Sequence, residues 1–137
     1  MKTHKFNKAD REIIESLYKD FQPPVNINSV NFYWFDSYRN ALGLFKATEP
    51  DNIYIKDIDI EIQIAYRETI KSYLENMIGT INHELTHLKQ RREMGLFKYS
   101  MLAIPIVRHQ TIEKEAEANE RLAEIHFNKT QLNEEKA

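Results

Sequence analysis

The chain has 137 residues, with 19 basic and 21 acidic side chains, a formal charge of −2, no cysteine, and 42% hydrophobic residues. That length suits a single domain that buries a core without covalent staples, and the missing cysteines exclude disulfides and thiolate metal sites. The near-neutral charge gives no bulk electrostatic reason to expect nucleic acid or an anionic membrane as a partner.

The opening MKTHKFNKADREIIES has no apolar stretch of the signal-peptide kind, so a cytoplasmic setting is expected. No run approaches the roughly 20 apolar residues of a membrane span. Asn7 or Asp10 is placed to cap a first helix, with Ile13, Ile14, Leu17, Tyr18 and Phe21 at steps of three and four and Pro23 and Pro24 beyond its end. VNINSVNFYWFDSYRN is rich in β-branched and aromatic residues and reads as one or two strands. ALGLFKA and NIYIKD, joined across EPDN, read as the arms of a hairpin. IDIEIQI, residues 58 to 64, alternates with period two and reads either as a strand or as irregular chain before the next helix.

From about residue 66 the period changes. Ile70, Tyr73, Leu74, Met77, Ile78, Ile81, Leu85 and Leu88 predict one long amphipathic helix that stops near Gly95. A connection containing Pro105 follows, whose apolar YSMLAIPIV suits a buried loop or a partner-facing lip. A last helix is predicted over 111 to 127, capped by Thr111, with a polar tail from 128 expected to fray. This order describes an α+β domain in which the long helix packs on a sheet of three or four short strands.

The long helix carries INHELTHLKQ, residues 81 to 90. His83 and His87 are one turn apart and point the same way, so both imidazoles can bind one Zn²⁺. Glu84 stands about 100° further round the helix, beside such a metal rather than on it. A carboxylate there can take a proton from water and pass it to a leaving amine. A catalytic zinc needs a third protein ligand and one open position. The metzincin pattern fails, because Gln90 and Glu93 stand where it requires Gly and His.

The last helix offers EKEAEANE, residues 113 to 120. HELTH followed by Glu-x-x-Ala-Asn resembles the gluzincin class of zinc metallopeptidases, and the chain is similar to small bacterial and phage members, including the regulator-cleaving ImmA/IrrE type. The resemblance covers roughly residues 66 to 127. It implies a zincin-like fold, with an N-terminal helix, a short twisted sheet, the active-site helix and a C-terminal helix bearing the third ligand. It implies Zn²⁺ as cofactor, Glu115 as that ligand and Asn119 as the hydrogen-bond partner of a ligand histidine. Glu113 and Glu117 are the alternatives to Glu115 on the same helix. The resemblance also implies an edge strand that pairs with an extended peptide substrate, for which NIYIKD is the strand chosen.

Hydrolysis further calls for a group that stabilises the oxyanion. Tyr99, Arg108 and His109 lie in the connection between the two metal-bearing helices, Tyr99 and His109 being the foremost candidates. The expected activity is cleavage of a protein or peptide. The competing expectation is a zinc-containing binding or assembly module without turnover.

Overall fold

The computed structural model describes residues 1–58 and 69–136. The IDIEIQI strand, beyond Ile58, and the expected helix start near residue 66 lie outside them. The chain is α+β, with a small mixed sheet of four strands. β1 (Thr3–Lys5) is followed by α1 (Lys8–Leu17), then a 3₁₀ turn at Ile27–Ser29 and β2 (Asn31–Phe35). β3 (Gly43–Leu44) and β4 (Asn52–Lys56) form the expected hairpin, with Gly43 opposite Ile55 and Leu44 opposite Tyr54. The sheet order is β1-β2-β4-β3, with β2 and β4 parallel and both outer pairs antiparallel.

This order corrects one expectation. NIYIKD is β4, an interior strand flanked by β2 and β3, and the edge on that side is β3. The aromatic and β-branched run of β4 is buried at Ile53, Tyr54 and Ile55, which is why it takes the inner place. β1, unforeseen in the polar opening of the chain, forms the other edge.

The predicted long helix is two helices, α2 (Ile70–Asn76) and α3 (Ile78–Met94). Thr69 opens α2 with a capping box, its hydroxyl accepting from the Ser72 N–H while Ser72 bonds back to the Thr69 N–H. At Met77 the backbone turns to φ −90°, ψ 1°, and its N–H is shared between the Tyr73 and Leu74 carbonyls, which breaks the ladder. Gly95, at φ +84°, ends α3 in a conformation that strains any residue with a Cβ.

α4 (Leu96–Leu102) and the single turn α5 (Pro105–Arg108) occupy the connection, with Pro105 at the first helical position. α6 runs from Ile112 to Lys136, past the expected stop at 127. Thr111 does not cap it as expected: its hydroxyl donates backward, to the Val107 carbonyl at 2.9 Å. Similarly, α1 ends at Leu17, well before the prolines, although Asn7 does cap it by accepting from the Asp10 N–H. No helix among the described residues is long and apolar enough to cross a membrane.

Phe32, Trp34, Ile53 and Ile55 on one sheet face meet Ile78, Ile81, Leu85 and Leu88 of α3 in a single core, closed by Ile14 and Tyr18 of the α1 end. Each such large side chain contributes on the order of 1.5–3 kcal/mol by leaving water. Two arginines then lock the C-terminal end of α3 to the sheet loops. Arg91 Nε donates to the Ala47 carbonyl, and Arg92 reaches the carbonyls of Ser29 and Pro50 and the carboxylate of Asp51. The basic end of this helix therefore does more than complement its dipole.

Candidate metal centre

α3 and α6 pack along a seam of small or polar residues. Gly79, Asn82 and Thr86 face it from α3, while Ala116, Asn119 and Ala123 face it from α6. A buried network holds the two helices in register. Tyr18 Oη donates to Asn82 Oδ1, Asn82 Nδ2 to the Asn119 carbonyl, Asn119 Nδ2 to Thr86 Oγ1, and Thr86 Oγ1 to the Asn82 carbonyl. Asn119 is thus spent on helix docking, and the structure does not bring it to either histidine.

The third acidic residue at the histidine pair is Glu113. One ligand atom from each of His83, His87 and Glu113 lies within 4.8 Å of the others. His83 Nε2 is 3.2 Å from Glu113 Oε2, and His87 Nε2 is 2.9 Å from Glu113 Oε1. Glu115, the expected ligand, points the other way. Its carboxylate accepts from Lys89 Nζ at 3.1 Å and from Gln90 Nε2 at 3.0 Å. Two residues of helix carry a side chain about 200° round the axis, so the two glutamates cannot share a target. Glu117 is exposed.

Hydrogen bonds on the far side of each ring fix the tautomers. Gln90 uses its NH₂ on the Ile112 carbonyl and on Glu115, so its Oε1 faces His87 Nδ1 at 2.9 Å. An oxygen there can only accept, which puts the proton on His87 Nδ1 and leaves the Nε2 lone pair aimed at Glu113. His83 is oriented alike by Glu120, whose Oε1 lies 2.8 Å from Nδ1. The supporting role expected of Asn119 falls instead to Gln90 and Glu120. Glu115 contributes at one remove, by orienting Gln90.

The electrostatics agree with ligand chemistry. Burial holds His87 below the usual imidazole value, favouring its neutral form. Burial alone would raise Glu113, but the attraction of His87 and His83 in their protonated forms, together with that of Arg108, outweighs it and holds the carboxyl below its ordinary range. His87 Nε2 and Glu113 Oε1 are both buried and have no hydrogen bond. Arg108 Nε approaches Oε1 to 2.8 Å as an ion pair, out of line for a full hydrogen bond. Two lone pairs facing each other at this range are what a shared cation satisfies. Two imidazoles and a carboxylate form a donor set that suits zinc.

Glu84 lies beside the group, partly buried, with its carboxyl pushed up to about 7 by burial and, more weakly, by Glu113. Next to it runs the edge strand. A Cβ built on Gly43 would stand 2.8 Å from Thr80 Cγ2 and 3.2 Å from Glu84 Cγ, so only glycine lets β3 approach this closely. The ring of Tyr99 packs edge-on to His87, with centroids 6.3 Å apart, and against Phe45. Burial pushes its phenol up to about 12, so it stays a proton donor at neutral pH. His109 is exposed at the end of α5, and its neighbour Arg108 is the residue that reaches the site.

No protein-family model, curated protein or solved structure matches the chain.

Proposed function

We propose that this chain is a zinc-dependent metallopeptidase of gluzincin type, with a zincin-like fold, in which His83, His87 and Glu113 hold the ion. The observation that carries the reading is the convergence of these three side chains beside Glu84 and an open strand edge. Zinc bound there supplies Lewis acidity, polarising a carbonyl and making water acidic near neutral pH.

The chain's own residues do the rest. Gln90 and Glu120 keep both imidazoles in the ligand tautomer. Glu84, with a carboxyl titrating near neutrality, accepts the proton of the attacking water and returns it to the departing amine. Tyr99, whose ring packs against His87, is the group we assign to stabilise the developing oxyanion as a proton donor. The substrate is an extended protein or peptide segment that adds to the β3 edge, its backbone brought alongside Glu84 by the missing side chain of Gly43.

Glu84→Gln tests this directly. The variant is expected to retain about one zinc per chain and its fold while losing peptide cleavage by about a hundred- to ten-thousandfold, the range that acid–base groups contribute. Wild-type protein without zinc, or a Gln variant that cleaves normally, would refute the assignment.

A further inference from the structure

Arg108 touches this cluster but has no part in the mechanism above. It comes from α5, a turn separate from both metal-bearing helices, and its side chain is 38% exposed. Its Nε lies 2.8 Å from Glu113 Oε1, the same oxygen that stands 2.9 Å from His87 Nε2. Glu113 is only 8% exposed, so without a positive neighbour its charge would be buried unpaired.

We propose that Arg108 is a resident counter-cation of Glu113, which holds the carboxylate aimed at the histidines and competes with the divalent ion for it. This rests on the zinc reading above. Two positive charges claim one carboxylate oxygen, and the guanidinium cannot lose its proton to yield. The arginine therefore holds the site assembled before the metal arrives and sets how much free metal is needed to load it. A purely architectural arginine has the opposite signature: its removal would loosen Glu113 and weaken metal binding.

The experiment measures zinc dissociation constants by chelator competition, and melting of the metal-free protein, for wild type, Arg108→Gln and Arg108→Lys. Arg108→Gln is expected to bind zinc about tenfold more tightly, the scale on which outer-sphere partners move metal affinity, while its metal-free form melts at a lower temperature. Arg108→Lys keeps the charge on a shorter reach and is expected between the two, so it carries the test if the Gln variant does not fold. In a Glu113→Gln background the gain should vanish, because the contested oxygen is gone. Zinc binding that is unchanged or weaker in a folded Arg108→Gln overturns the proposal alone. A wild-type chain that takes up no zinc removes the metal site and this proposal together.

Discussion

Glu113 and Glu115 stand two positions apart on α6, yet one meets the histidines and the other meets Lys89 and Gln90. Their roles should separate in solution. Glu113→Ala is expected to weaken zinc retention by more than about a hundredfold, since it removes a ligand, whereas Glu115→Ala acts only through Gln90 and should cost about tenfold or less. Dialysis against a graded chelator series reads both, and equal losses would contradict the geometry. HELTH was legible because its three residues are fixed to one another by helix geometry alone. The acidic partner was not, because Glu-x-x-Ala occurs twice within EKEAEANE, at 113 to 116 and at 115 to 118. What separates them is burial: Ala116 is fully buried while Ala118 is exposed. Leu122, the apolar residue on the Glu115 face, is 57% exposed, so the usual guide of hydrophobicity pointed to the wrong side.

Among the elements, the seam between α3 and α6 is built from small side chains, which periodicity in large apolar residues does not register. Ala116 and Ala123 are both fully buried there. Ala116→Leu is expected to destabilise the domain by about 1–3 kcal/mol through overpacking and, by tilting α6, to lower zinc affinity as well, checked by denaturant melts with and without zinc. At the sheet edge, Gly43→Ala would drive a methyl into Thr80 and Glu84. It should cut peptide cleavage while leaving zinc content unchanged, and normal turnover in that variant would argue against β3 as the substrate-pairing edge. The hairpin itself was readable from EPDN and its flanking runs. Which arm lay outside was not, because edge position depends on β2 pairing with β4 from a distance in sequence.

For the molecule as a whole, the α+β class and the packing of the histidine-bearing helix on the sheet follow from the change of hydrophobic period. The break at Met77, the strand β1 and the helical continuation of α6 to Lys136 do not, since each rests on tertiary contact or on a locally polar segment. One consequence at this scale concerns acid stability. Glu49 accepts a hydrogen bond from Tyr54 Oη, which holds its carboxyl below the ordinary 4.5, with Asn52 and Lys46 adding to the effect. A carboxyl depressed on folding stabilises above its unfolded pKa, and that share is lost as pH falls through the folded value. Tyr54→Phe should therefore flatten the dependence of stability on pH below about 4.5, with little change in slope near neutrality, as followed by melts across an acid series.

His83 and Glu120 are 37 positions apart, and the two carboxylates paired with the histidines among the described residues, those of Glu113 and Glu120, belong to α6. An ion gripped from both sides would thus act as a removable rivet, closing the stretch of chain between α3 and α6 much as a crosslink does. Stripping it would do more than silence chemistry: the start of the final helix would lose one of its ties to α3 and rest on the Arg108 ion pair and the Asn82–Asn119–Thr86 network. Protease nicking near the Ala103–Thr111 bend should consequently accelerate on chelation and slow again on repletion, reporting how much of the protein carries the ion.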